Sequence, residues 1–277
     1  DLADCTAETP RLTISVTRLE QLSPALLELG CPARVYIPLE EVSRLESLPG
    51  EGPEWCAVLP RVWRDRDEPA LRTLLERARA LGFTGVLIGN LGHLPLVRGL
   101  NFHLYGDYGL NVFNSRSLAY LKDKELESAC VSFELRFAQI RDLKKVLRAE
   151  AIVYGRLPLM ITENCLVQNE TGCRLDRQGP CVPEDGPCRC GQPNVLVDRT
   201  GAAFPLLPAY GHRTEIQNSK PLYLADRPEH RRLGLAYARL RFTTETAEEC
   251  VSVVQNYLDA APAAGDFTRG LYERGVE

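Results

Sequence analysis

Five of the ten cysteines fall between residues 165 and 190: Cys165, Cys173, Cys181, Cys188 and Cys190. Glycine and proline are threaded between them, which favours tight turns over a helix or a long strand. Thiols grouped in this way suit a metal site or a disulfide knot, and without a secretory signal metal is favoured. Cys188-Arg-Cys190-Gly191 has the form of a metal knuckle, in which the glycine lets backbone amides turn toward sulfur. Seven residues separate Cys165 from Cys173 and Cys173 from Cys181, enough for the chain to loop back to one ion. Four thiolates, or three with His212, satisfy tetrahedral zinc. Four thiolates equally hold an iron–sulfur cluster. The competing reading is a set of free or adventitiously paired thiols. Cys5, Cys31, Cys56, Cys130 and Cys250 are scattered and read as small buried hydrophobes.

Acid–base and anion-binding chemistry points elsewhere in the chain. Glu134 and Arg156 each end an apolar strand-like run, and Glu163 follows two residues before Cys165. Glu40, Glu41, Arg61, Asn90, Asp107, Asn114, Ser115 and Arg241 occupy comparable positions after other runs. Such groups either form a mouth for an anionic or polar ligand or simply solvate loops. His93, His103, His212 and His230 are dispersed, and no Gly-x-Ser-x-Gly or phosphate-loop pattern occurs, so no nucleophile triad is indicated.

The elements that must position these groups alternate regularly. Apolar, β-branched runs predict strands at 11–17, 34–38, 55–62, 83–89, 101–105, 128–133, 150–154 and 235–242. Helical spacing predicts helices at 19–29, 40–48, 68–81, 94–98, 115–122, 137–147 and 247–258. Eight strands alternating with helices predict an α/β fold of the TIM-like (β/α)8 type, with chemistry at the C-terminal strand ends. A doubly wound open sheet is the alternative, weakened by the lack of a glycine-rich turn after the first strand. The chain reads as a single domain over 1–277. It carries a Cys-rich insertion at 161–226, between strands seven and eight, with a β-hairpin turning at Thr200-Gly201.

Composition limits the partners. A net charge of −4 speaks against broad electrostatic binding of nucleic acid, with 44% hydrophobic residues enough for a full core. No apolar run reaches the ~20 residues of a membrane span. The start at Asp1, with neither initiator Met nor signal peptide, predicts a mature piece or excised domain located in the cytoplasm.

Glu150, Ile152 and Gly155 in strand seven, with Cys165 and Val167 after it, form a pattern that resembles the signature of the collagenase-like peptidase family U32, a resemblance that covers most of the chain and is strongest from Glu134 to Leu224. Glu150, Ile152 and Gly155 match the opening of that family's signature, and Cys165 with Val167 its close. Ser132-Phe-Glu134-Leu135 with Gln139-Ile140, the hairpin residues Val197-Asp198-Arg-Thr-Gly201, and Arg213-Thr-Glu-Ile-Gln-Asn218 with Pro221-Leu-Tyr-Leu resemble further family segments. Cys188 to Cys190 resembles the family's later cysteine pair. Val153-Tyr-Gly-Arg-Leu-Pro-Leu-Met160, with Leu39-Glu-Glu41 and Gly109-Leu-Asn-Val-Phe-Asn114, looks like the second, C-terminal barrel of its longer members. The resemblance implies a barrel fold and either a peptidase or a hydroxylation activity on RNA or a quinone precursor. It also implies an iron–sulfur cluster on four cysteines. Here Pro158, Glu163 and Gln168 replace family residues, and Tyr210-Gly-His-Arg213 lacks the last cysteine. The expected cofactor is therefore zinc on a rebuilt thiolate set with His212, the alternative an iron–sulfur cluster. Expected partners are another domain of a longer protein or a second copy, with RNA or peptide as substrate and no membrane. A non-catalytic, metal-stapled barrel supporting a catalytic partner domain is the competing function.

Overall fold

The computed structural model describes residues 4–30, 32–171 and 192–275. Its contacts divide the chain into two compact units, Asp1–Gly155 with Leu222–Glu277, and Arg156–Pro221.

The first unit is a closed parallel barrel. Its strands are β1 (Arg11–Ser15), β2 (Arg34–Pro38), β3 (Glu54–Val58), β4 (Gly85–Ile88), β5 (His103–Gly106), β6 (Leu126–Cys130), β7 (Arg148–Gly155) and, after the second unit, β13 (Tyr237–Arg241). Each pairs in parallel with the next, and β13 lies between β7 and β1 to close the ring. A short strand, β12 (Leu222–Tyr223), adds antiparallel to the end of β7.

Helices α1 (Pro24–Glu28), α2 (Leu39–Val42), α3 (Glu68–Leu81), α4 (His93–Val97), α5 (Ser115–Asp123), α6 (Phe137–Asp142) and α8 (Ala247–Leu258) follow the strands. The longest shows why they form. α3 spaces Leu71, Leu75 and Ala78 on one buried face and stops at Gly82, whose φ of 100° suits a left-handed cap. α8 begins with a capping box between Thr246 and Glu249. The sequence-predicted helix over 19–29 is instead a 3-10 turn at Leu19–Gln21 followed by α1, because Ser23-Pro24 starts a new helix with Ser23 as its cap.

Along the strands, Ile14, Val35, Ile37, Ala57, Val86 and Ile88 form the fully buried layer beneath the helices. The alternate residues turn inward. Tyr36, Cys56, Leu87 and Tyr105 pack together there, with Val58 against them.

The second unit is a four-stranded antiparallel sheet in the order β8-β11-β10-β9. Its strands are β8 (Pro158–Thr162), β9 (Asn194–Val197), β10 (Ala203–Ala209) and β11 (Arg213–Gln217), and α7 (Leu166–Thr171) follows β8. The expected hairpin is β9–β10. Asp198 Oδ1 accepts hydrogen bonds from the Thr200 and Ala202 amides at 2.8 and 3.0 Å, and Gly201 takes φ +85°. The compact unit runs from Arg156 to Pro221 rather than from 161 to 226, since Leu222-Tyr223 already pairs with β7. The expected hairpin is part of this four-stranded sheet.

Candidate functional site

The interior of a barrel of this kind is ordinarily filled with branched apolar side chains. Here its middle layer is ionic. Thr13, Arg34 and Arg239 are level in the ladder, as are Arg34 and Glu54. Glu150 on β7 is the hub. Its Oε1 accepts from Thr13 Oγ1 at 2.6 Å and Tyr36 OH at 3.1 Å, and its Oε2 accepts from Arg239 Nε at 3.0 Å and from Arg239 Nη2. Arg239 also donates from Nη1 to Asp107 Oδ1 at 2.5 Å. Arg34 donates from Nε to Glu54 at 2.9 Å and from Nη1 to Tyr36 OH at 3.0 Å, with its guanidinium 3.4 Å from the Tyr105 ring centroid.

The electrostatics follow from this pairing. Burial pushes the Glu150 carboxyl up, but Arg239, Arg34 and the Thr13 hydrogen bond more than offset it, so the net direction is down. Burial acts against the charge of Arg239 as well, and Glu150 and Asp107 hold it well above its usual value. Burial and the Glu150 charge drive the Tyr36 hydroxyl well up. The network is charged and internally satisfied.

Above it, at the C-terminal strand ends, residues from four strands converge. Asp107 follows β5, accepting from the Tyr108 amide at 2.9 Å while it holds Arg239. The Tyr108 ring carries the Arg61 guanidinium at 5.3 Å and that of Arg241, the last residue of β13, at 5.9 Å. Phe133, beyond β6, packs on the same ring with centroids 5.7 Å apart. Two glycines make this approach possible. Gly155 at φ +116° lies so near the Arg241 carbonyl that a Cβ would collide with it, and a Cβ on Gly109 would sit 2.5 Å from the Gly89 carbonyl oxygen.

Glu134, next to Phe133, is half-buried, with its amide donating to Ser132 Oγ at 3.4 Å. Half-buried Glu40, two residues past β2, has its carboxyl pushed up to about 7 by burial. The other strand-end candidates have structural partners. Asn90 donates to the Arg61 carbonyl at 3.1 Å, Asn114 caps α5, Ser115 Oγ accepts from the Lys144 amide at 2.8 Å, and Glu41 accepts from the Leu19 amide at 3.2 Å and from Arg44.

His93 Nδ1 accepts from the Gly89 amide and Nε2 faces the Pro60 carbonyl, each at 3.1 Å, tying the ends of β3 and β4. Burial lowers it to about 4. His103 pairs with Glu127 at the opposite, N-terminal face. A recess of about 330 Å³ there, lined by Arg79, Gly82, Phe83, Thr84, Asn101 and His103, lies away from the strand ends where barrel chemistry sits.

In the sheet unit, Arg156 donates to the backbone carbonyls of Asn218 (3.0 Å) and Ser219. Glu163 forms a bidentate pair with buried Arg213, at 3.2 Å to Nε and 3.0 Å to Nη2. Cys173, Cys181, Cys188 and Cys190 lie outside the described residues. Cys165 is buried and its sulfur accepts the Gln168 amide at 3.4 Å. β8 ends and β11 begins at the same end of their antiparallel pair, Thr162 opposite Thr214, so Cys165 and His212 are delivered to one end of the sheet. β9 also enters from that side, with Asn194 opposite Leu206 and Ala209 opposite Arg213. Among the described residues no group of three or more His, Cys, Asp or Glu is placed to hold a metal ion.

The sequence model of peptidase family U32 matches residues 48–194, more than half of the chain. The chain belongs to peptidase family U32. None of the curated proteins matches it in sequence. Among solved structures, the U32 peptidase Mk0906 is similar at 9% identity and a TM-score of 0.46, over 86% of this chain and 95% of its own. The putative copper homeostasis protein CutC from Streptococcus agalactiae is similar at 13% identity and a TM-score of 0.39, over 51% of this chain and 87% of its own. The spore cortex-lytic enzyme SleL from Bacillus megaterium QM B1551 gives 9% and 0.39, over 90% and 74%. The U32 match includes both Glu150, the hub of the ionic layer, and Cys165. Among the described residues, no helix is long and apolar enough to cross a membrane.

The sequence points to Asp107, Arg61 and Arg241 for the mouth, and to Glu150 only through the family resemblance, but not to Tyr108 or to the ionic layer that Arg34, Tyr36, Glu54 and Arg239 form with Glu150. The available signal was alternation. Arg34-Val-Tyr36-Ile and Tyr237-Ala-Arg239-Leu-Arg241 place polar residues at every second position of strands that should be apolar on both faces.

Proposed function

We propose that this U32 chain is an enzyme domain that binds an anionic segment of a peptide at the C-terminal mouth of its barrel and hydrolyses it there. The observation that carries the reading is the convergence of Arg61 and Arg241 on the Tyr108 ring, with groups from β3, β5, β6 and β13 meeting above a self-neutralised ionic layer. Two guanidiniums against one aromatic ring suit a carboxylate of the substrate. Glu134 stands beside the Phe133 wall and is assigned the role of general base. It takes the proton of the attacking water and returns it to the departing amine. Hydrolysis of an acidic peptide library tests this: Glu134→Gln should lower kcat about 10²–10⁴-fold with KM little changed. Undiminished kcat in that variant would reject the assignment.

In this reading the sheet unit is a zinc staple. Cys165 and His212 supply two ligands, and the others come from Cys173, Cys181, Cys188 and Cys190, with an iron–sulfur cluster as the alternative occupant. Arg156 and Glu163 hold the unit's backbone and its β8–β11 end. A reducing compartment, the cytoplasm, fits thiolate ligands.

One observation favours the non-catalytic alternative, a barrel that supports a catalytic partner domain. The charges of the core are spent on one another, since Glu150 is engaged at both oxygens and Arg239 is shared between Glu150 and Asp107. A chain without hydrolytic activity that increases the activity of a partner domain would establish that alternative.

A further inference from the structure

The outer edge of β9 is built to be paired. Among the described residues the sheet ends at β9, and its three apolar residues Val195, Leu196 and Val197 are 54%, 47% and 59% exposed. The phase of the β9–β10 ladder fixes where its backbone groups point. The Asp198 amide donates to the Ala202 carbonyl at 3.0 Å, so Asp198 and Ala202 are a hydrogen-bonded pair. Pairs alternate along an antiparallel ladder. Val197–Ala203 and Val195–Pro205 are then the non-bonded pairs, and Leu196–Phe204 and Asn194–Leu206 the bonded ones. Pro205, which has no N–H to give, falls where none is needed. The N–H and C=O groups of Val195 and Val197 therefore face away from β10, and among the described residues no strand takes them.

We infer that β9 pairs with β9 of a second copy of this chain, antiparallel about a two-fold axis at Leu196. The register follows from the residues. With Leu196 opposite itself, Val195 of one copy faces Val197 of the other, so the outward donors and acceptors meet in two bonded pairs. The two Leu196 side chains then share a non-bonded position, where side chains come closest. Asn194 faces Asp198, and no like charges oppose. Moving the axis to Val195 brings Val197 against Pro193, which cannot donate, and moving it to Val197 sets Asp198 against Leu196. The axis at Leu196 is the register that uses every outward group. Such a contact is isologous and closes as a dimer with one continuous eight-stranded sheet. β8, the opposite edge, opens with Pro158 and faces a register shift at Ile216/Gln217, both features that blunt an edge. The proposal is independent of the peptidase reading.

A four-residue edge gives a small interface, so the dimer is expected in the micromolar-to-millimolar range. Sedimentation equilibrium of the full chain across that range tests it. Wild type should show a concentration-dependent dimer. Leu196→Lys and Leu196→Glu should each weaken it about tenfold or more, and an equimolar mixture of the two should recover association. Val195→Pro removes one outward N–H while leaving the bonds to β10, and should weaken the dimer likewise, with an unchanged circular dichroism spectrum showing that the fold is kept. A monomer at every concentration would overturn the proposal. So would a dimer indifferent to these variants. A chain that stays monomeric but binds a synthetic Pro193–Arg199 peptide would assign the edge to a foreign strand instead.

Discussion

Arg239 is nine-tenths or more buried between two carboxylates, and its removal leaves Glu150 and Asp107 facing each other's charge without water. Breaking a buried pair from one side typically costs about 3–5 kcal/mol. Arg239→Met should lower unfolding free energy by that amount in urea titrations, and Arg239→Lys should rescue little, because a single ammonium cannot span Glu150 and Asp107 as the guanidinium does. Glu40 gives a prediction with a definite sign. Its folded value, raised to about 7 from 4.5, means the folded state binds the extra proton. That contribution is fully present below pH 4.5 and is lost as pH rises through 7. Glu40→Gln should therefore raise Tm at pH 8, by up to about 3 kcal/mol of stability, and leave it unchanged near pH 4. A variant that is destabilised at pH 8 would contradict the assignment. At this scale the sequence was half legible. Asp107, Arg61 and Arg241 follow from strand ends, whereas Tyr108 enters through a 3-10 turn whose only cue is the Asp107 cap.

The elements are most legible in the sequence where local physics is strong. The helix expected over 68–81 is present with those bounds, since a clean apolar face and a terminal glycine suffice. The expected helix at 137–147 stops at Asp142, because the following residues turn back and the buried Lys145 ammonium caps the carbonyls of Ile140, Arg141 and Leu143. β8 and β11 are not legible in the sequence. Pro158 at the start of β8 reads as a turn, and β8 finds its partner β11 more than fifty residues further along the sequence, while β11 also pairs locally with β10. That sheet has a direct test for its proposed metal. Protein purified without chelator should carry about one zinc per chain, and Cys165→Ser should lose it while the far-ultraviolet spectrum of the barrel persists. Iron with sulfide would replace zinc by the cluster, and neither metal would leave the sulfur a buried thiol.

At the scale of the whole molecule, eight alternating strands made the closed barrel legible, because right-handed crossovers leave few other ways to bury both faces of parallel strands. The compactness of the intervening unit is not legible, since beside two local hairpins it depends on the β8–β11 pairing between residues far apart in sequence. In the proposed function, Arg61 and Arg241 receive the substrate's negative charge. Isothermal titration of an acidic peptide into wild type and Arg241→Met at low and moderate salt measures this directly. Binding should weaken with salt and fall about tenfold or more in Arg241→Met. Equal affinity in the two proteins would contradict it.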